Sequence, residues 1–118
     1  MTDDSLEWAD SWPGAHEPET QRTIVVTISR DVKGVPLSTS AWKDFRAEVR
    51  AAVSNVCEDI YFVGAGTGTS TEWGSEDAFT VIASEPLNPQ LFRAALARVG
   101  RYYGQEAVAV TVGSTEFI

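Results

Sequence analysis

The chain is poor in the side chains that most often carry out chemistry in proteins. Cys57 is its only cysteine and His16 its only histidine. A single cysteine forms no internal disulfide, which is typical of proteins from a reducing compartment. His16 falls in the first 22 residues, away from the segments that can build a core, so it serves neither a catalytic triad nor a metal cluster. The sequence therefore predicts no catalytic constellation, no metal site and no cofactor.

Long apolar runs and a net positive charge are missing as well. No apolar stretch approaches the ~18 residues that a transmembrane helix requires, and the first residues are acidic where a secretion signal would be basic. Nine lysines and arginines face 17 aspartates and glutamates, which gives a net charge of −8. Nucleic-acid binding needs clustered cations to neutralise phosphates. We therefore expect a cytoplasmic protein that contacts neither a membrane nor nucleic acid.

What the sequence does contain is an acidic N-terminal arm, residues 1–22, with two of the four tryptophans. Six carboxylates face one arginine there, so the arm contributes −5 of the net charge. Solvated acidic tails are usually poor in aromatic residues, and Trp8 and Trp12 therefore indicate a segment that docks on a surface. Glu7 and Asp10 lie beside them and are expected to join the same contact. Residues 23–118 suffice for one domain with a single core.

Hydrophobic periodicity in residues 23–118 predicts the order strand, helix, strand, strand, helix, strand. Apolar residues at spacings of three and four predict amphipathic helices from Ala41 to about Val56, and from Pro89 to a capping glycine at Gly104. This order most often folds as a ferredoxin-like βαββαβ sandwich. We expect an α+β fold with two helices on one face of a four-stranded antiparallel sheet. Alternating β-branched residues predict its strands at 23–29, 59–63, 78–83 and 107–112.

A glycine-rich segment from Gly64 to Gly74 lies between the second and third predicted strands. Its Gly-x-Gly-x-Gly spacing is similar to that of a nucleotide loop, but neither the lysine nor the helix that such loops require follows it. We expect a hairpin connection or a bulged strand end rather than a ligand cradle. Trp73 lies near the tip, where it either folds back over the sheet or anchors a partner.

Positive charge is concentrated on the two predicted helices. Six of the nine cations lie there with only two acids, which gives a local charge of +4 in a chain of −8. Helical propensity and the helix dipole explain some of these cations, but not the scarcity of acids. Because both helices cover one side of the expected fold, they predict a basic outer face, which the acidic arm could contact. The residues of this face are Lys43, Arg46, Arg50, Arg93, Arg98 and Arg101.

Three short motifs resemble small α+β proteins of actinobacteria and their phages. The first is Trp42-Lys-Asp-Phe45, which opens the first helix. The second comprises the glycines at 64, 66 and 68, and the third is Tyr103-Gly104-Gln-Glu106, just before the last strand. The resemblance covers about residues 23–115. It implies a phage-borne chain and no particular activity.

Together these observations favour a non-catalytic protein-binding module, for example a phage protein that binds a host or defence protein. Its contacts would be Trp8, Trp12, Trp73, Glu7 and Asp10. A first alternative is a virion or assembly component whose arm docks on a neighbouring copy. A second alternative is a binder of small anionic ligands or nucleotides that uses the helical cations and the glycine-rich segment.

Overall fold

The computed structural model describes residues 19–70 and 74–118. In chain order these residues form β1 (Glu19–Ser29), β2 (Asp31–Val32), β3 (Val35–Pro36), α1 (Thr39–Val56), β4 (Ile60–Ser70), β5 (Gly74–Ser84), α2 (Pro89–Tyr102) and β6 (Ala109–Phe117). Trp8, Trp12, Trp73, Glu7 and Asp10 lie outside the described residues. Within those residues, no helix is both long and apolar enough to span a bilayer.

Four strands form one antiparallel sheet in the order β4-β5-β1-β6. β1 lies in the interior of the sheet, where Val26 is opposite Val81 of β5 on one side and Val110 of β6 on the other. β2 and β3 form a separate short hairpin, whose turn at Lys33 and Gly34 has the positive φ angles that tight hairpin turns need. The predicted ferredoxin-like α+β fold is confirmed, with both helices on one face of the four-stranded sheet.

The core lies between the two helices and the inner face of the sheet. Alternation along β1 buries Ile24, Val26 and Ile28 on that face. The predicted helical stripes supply the opposite layer. The Phe45 ring, which is fully buried, stacks on Tyr103 with 4.8 Å between ring centroids and so joins α1 to the end of α2. The other buried helical side chains are Trp42, Val49, Val53, Phe92 and Leu96.

Each helix begins directly after a residue whose side chain caps its first turn. The Ser38 hydroxyl accepts a hydrogen bond from the backbone N–H of Ala41 at 3.1 Å, and the Asn88 side-chain oxygen accepts one from Leu91 at 3.1 Å. After α2, Gly104 adopts a φ of 79°, the left-handed conformation that glycine favours at helix ends. Gly104 therefore marks where α2 ends and where the connection to β6 begins.

The predicted strands are too short, and the glycine-rich segment is not a separate loop. β4 continues through it to Ser70, with pairs from Gly64 opposite Thr80 to Ser70 opposite Gly74. Because β5 supplies a hydrogen-bonding partner at each step, the low strand propensity of glycine does not end the strand. β1 likewise begins at Glu19, where it pairs with Phe117 of β6.

The outer face of the sheet, opposite the helices, carries two exposed aromatic side chains. An irregular register between Ile60 and Phe62 turns both Tyr61 and Phe62 toward this face. The Phe62 ring lies over Gly64, where a Cβ atom would come within 2.4 Å of the ring. Gly64 is therefore the residue that lets this ring lie on the sheet. We refer to this surface as the outer sheet face.

Candidate functional site: a groove between α2 and β6

A hollow of about 370 Å³ lies between the second half of α2 and the start of β6, on the helical side of the sheet. Leu96, Gly100, Val108 and Val110 provide an apolar floor, and Ala97 and Ala107 complete the walls. Charged and polar residues line the rest: Arg93, Arg101, Gln105 and Glu106. We call this hollow the α2–β6 groove. It combines apolar surface with a few polar groups, which is the usual composition of a small-molecule site.

The two arginines reach the groove because of their spacing along α2. Arg93, Ala97 and Arg101 are four residues apart, so they lie in one row along the helix. Ala97 lies between the two arginines in this row and extends only a methyl group. The row therefore offers two positive charges on either side of a small residue.

Gly100 lets the helix approach the strand side of the groove closely. It is buried, and a Cβ atom at this position would lie 2.8 Å from Cγ2 of Val108. Since a real Cβ contact is almost never that short, any larger residue would push Val108 or the helix outward. Gly100 thereby sets the depth of the groove.

The connection between α2 and β6 is held in place by Gln105. Its side-chain Nε2 donates to the backbone oxygens of Ser29, at 3.1 Å, and Asp31, at 3.3 Å. Its backbone N–H donates to the oxygen of Gly100 at 2.9 Å. These bonds tie the connection to both α2 and the end of β1. Glu106, the next residue, follows this fixed backbone and lines both the α2–β6 groove and a neighbouring hollow of about 300 Å³ beside Asp31 and Lys33.

A smaller hollow of about 120 Å³ continues the groove toward the start of β1. It shares Arg93 and Val110 with the α2–β6 groove and is also lined by Arg22 of β1 and Val112 of β6. Arg22 forms an ion pair with Glu85, with 3.3 Å between Nε and Oε2. Both side chains are largely exposed, so this pair contributes little to stability. It marks the end of the extended groove.

The structure brings together two of the six residues predicted for the basic face. Arg93 and Arg101 line the groove, whereas Arg98 is exposed on α2 and does not. Lys43 and Arg50 are exposed on α1. The Arg46 guanidinium packs over the Trp42 ring, 5.4 Å from its centroid, which is a cation–π contact within the protein.

Sequence reasoning missed Gln105 and Glu106 as site residues. The available signal was the position of these two polar residues directly after the capping glycine and before a strand. Cys57, by contrast, is buried as a small apolar residue, and burial raises the pKa of its thiol. A neutral, buried thiol is a poor nucleophile.

Tyr103, at the C-terminal end of α2, donates a hydrogen bond to the Glu48 carboxylate of α1. This bond raises the pKa of Tyr103 well above its ordinary value, and desolvation and the charge of Glu48 act in the same direction. Because the folded state favours the protonated phenol, this contribution to stability is present below the ordinary tyrosine pKa of about 10 and is lost as pH rises through the higher folded-state value.

We therefore expect a spectrophotometric titration to isolate a tyrosine that ionises late. The Tyr103→Phe variant keeps the ring that stacks on Phe45 and removes only the hydroxyl. The difference between the titration curves of the wild type and the variant should have its midpoint above about pH 10. A midpoint at or below that value would show that the bond to Glu48 does not form in solution.

Comparisons with known proteins give a likeness in structure rather than in sequence. No family model matches the chain, and no curated protein matches it. A phage SAM lyase in its apo state superposes with a TM-score of 0.51 and 19% identity, over 82% of this chain and 90% of that chain. A phage SAM lyase in complex with S-methyl-5'-thioadenosine gives 0.46, at 17% identity over 80% and 88%. A hydroxynitrile lyase from Passiflora edulis gives 0.39, at 14% identity over 86% and 95%.

The apo lyase structure overturns the prediction of a non-catalytic protein-binding module. The fold of this chain is shared with a phage enzyme, and this finding contradicts the expectation that the chain is not an enzyme. The expectation rested on the absence of a catalytic motif along the chain, and such an absence is weak evidence against an enzyme fold. The resemblance to phage proteins holds at the level of a small phage-related α+β fold.

Proposed function

We propose that the chain is a lyase that binds S-adenosylmethionine in the α2–β6 groove and cleaves it. One observation supports this proposal above others: a fold shared with a phage SAM lyase over 90% of that chain contains a groove with both signs of charge beside an apolar floor. The low identity transfers no residue roles. The assignment of residues therefore rests on the chemistry of the groove.

Each charged side chain of the groove has a group of opposite sign in S-adenosylmethionine, although the groove and the substrate both carry a net charge of +1. The amino-acid end of the molecule carries a carboxylate, which the guanidinium groups of Arg93 and Arg101 can bind through paired hydrogen bonds. The sulfonium and the ammonium group are both cationic, and the Glu106 carboxylate offers the opposite charge. The adenine ring is flat and largely apolar, and it would lie on the floor formed by Leu96, Val108 and Val110.

Cleavage of a sulfonium compound makes modest demands on a protein. The carbon–sulfur bond breaks as the substrate's own carboxylate oxygen attacks that carbon. The bonding electron pair goes to sulfur, which leaves as a neutral thioether, and the amino-acid part closes to a lactone, so the leaving group requires no proton. The protein then contributes mainly by holding the substrate in one reactive conformation and by keeping water away from it. Two arginines, one carboxylate and an apolar floor are sufficient for these tasks.

The proposal is tested by incubating the full chain with S-adenosylmethionine and following substrate and thioether nucleoside by mass spectrometry. We expect consumption of the substrate and formation of a thioether nucleoside. Hydrogen bonds to charged groups contribute about 1.5–3 kcal/mol, so Arg93→Gln and Arg101→Gln should each lower kcat/KM roughly 10- to 150-fold.

Arg98→Gln is the matched control, because it removes the same charge from the same helix at an exposed position outside the groove. Its activity should equal that of the wild type. Absence of turnover in the wild type, or equal losses in all three variants, would refute the proposed function.

A further inference from the structure

We propose that the N-terminal segment, residues 1–18, docks in the α2–β6 groove of its own chain. The proposal concerns what occupies the groove when no ligand is bound, and it does not rest on the proposed lyase activity. It follows from where the segment joins the fold, from its charge and from the spacing of its tryptophans.

The segment enters the described fold at the end of the groove. β1 begins at Glu19, three residues before Arg22, which lines the smaller hollow. Three residues of strand span about 10 Å. Because the smaller hollow and the α2–β6 groove share Arg93 and Val110, a chain that turns back from Glu19 toward α2 reaches both in succession.

Charge favours the groove over other surfaces of the protein. Residues 1–18 contain five carboxylates and neither lysine nor arginine, in a chain of net charge −8. The remaining residues, 19–118, carry 9 cations and 12 carboxylates, so their net charge of −3 repels the segment overall. The arginines of the groove attract it, and Glu7 and Asp10 lie beside the tryptophans, where they can pair with Arg93 and Arg101.

The spacing of the tryptophans matches the length of the groove. Trp12 is seven residues before Glu19, a distance that an extended chain covers within about 23 Å. Trp8 and Trp12 are about 13 Å apart in an extended chain. Arg93 and Arg101 are eight residues apart on α2, which corresponds to about 12 Å along the helix axis. The two indoles can therefore lie beside the two arginines of the α2–β6 groove, where they bury a large apolar area.

A contact within one chain also has an advantage over a contact with a partner. A short tether raises the effective concentration of the segment at the groove to about millimolar, so individually weak contacts suffice. If the groove also binds S-adenosylmethionine, the segment and the substrate would compete for the same arginines.

The experiment records amide NMR spectra of the full chain and of the Trp8→Ala/Trp12→Ala variant, both without any ligand, and compares the two spectra. We expect the amide signals of Gly100, Gln105 and Val108 to shift, and those of Gly64 and Gly66 in β4 to stay in place. Arg93→Glu/Arg101→Glu should shift the indole signals of Trp8 and Trp12, and raising salt from about 0.05 M to about 1 M should do the same in the wild type. Arg98→Glu is the control and should leave both indole signals unchanged.

Three results would overturn the proposal. The first is that the amide signals of the groove residues do not shift when the two tryptophans are replaced. The second is that the shifted signals belong to residues of the outer sheet face. The shifts could also depend on protein concentration, which would place the segment on a second copy. None of these measurements involves S-adenosylmethionine, so a failure here leaves the lyase assay to be judged separately.

Discussion

Replacing Phe45 by alanine is expected to destabilise the protein by about 3–5 kcal/mol. The Phe45 side chain is fully buried, meets Trp42 edge-on and stacks on Tyr103, so its removal leaves a cavity between α1 and α2. Small domains are stable by only about 5–15 kcal/mol, so this one substitution would remove a large share of the total. Urea denaturation of the wild type and the variant measures the difference directly.

Leu91→Ala is the matched control for this experiment. It also truncates an apolar helical residue, but Leu91 is 63% exposed near the start of α2. Its effect on the free energy of unfolding should stay within about 0.5 kcal/mol. A cost below about 1 kcal/mol for Phe45→Ala would mean that the two helices do not pack around this ring.

Ala97→Trp is expected to abolish turnover of S-adenosylmethionine and to weaken its binding at least tenfold, which corresponds to about 1.4 kcal/mol. Ala97 lies between Arg93 and Arg101 in the groove wall and is itself exposed. An indole can therefore be placed there without displacing the core, and it would lie between the two arginines. Calorimetric titration measures the affinity, and mass spectrometry measures the turnover.

Ala94→Trp provides the comparison on the same helix. Ala94 is exposed and does not line the groove, so the added indole should leave binding, turnover and the midpoint of thermal unfolding unchanged. Wild-type binding by Ala97→Trp would exclude the α2–β6 groove as the ligand site. Loss of activity together with a large fall in the unfolding midpoint would show instead that the substitution damages the fold.

The fold could be predicted from the sequence because its signals are local. Ser38, Asn88 and Gly104 mark helix ends through their own side-chain or backbone chemistry, and the stripe that includes Phe45 and Leu96 follows from helical periodicity. The extension of β4 to Ser70 could not be predicted in this way. Its glycines are held in the strand by pairing with β5, and that pairing is a property of the assembled sheet.

Only part of the α2–β6 groove could be predicted from the sequence. Arg93 and Arg101 were recognised as cations on a helix, but Lys43 and Arg50 looked equivalent to them. Arg93 and Arg101 differ from Lys43 and Arg50 because the start of β6 lies opposite them across the groove. The position of that strand depends on the close approach of Gly100 to Val108 and on the hydrogen bonds of Gln105. These are contacts between separate elements, which no local pattern records.

The most direct test of the account follows the amide NMR spectrum of the full chain as S-adenosylmethionine is added. The proposed function predicts saturable shifts of the amide signals of Gly100, Gln105, Ala107 and Val108 around the groove. The amide signals of Gly64 and Gly66, in the edge strand β4 at the other end of the sheet, should not change. A spectrum that does not respond, or shifts confined to the outer sheet face, would contradict the assignment of the α2–β6 groove as the substrate site.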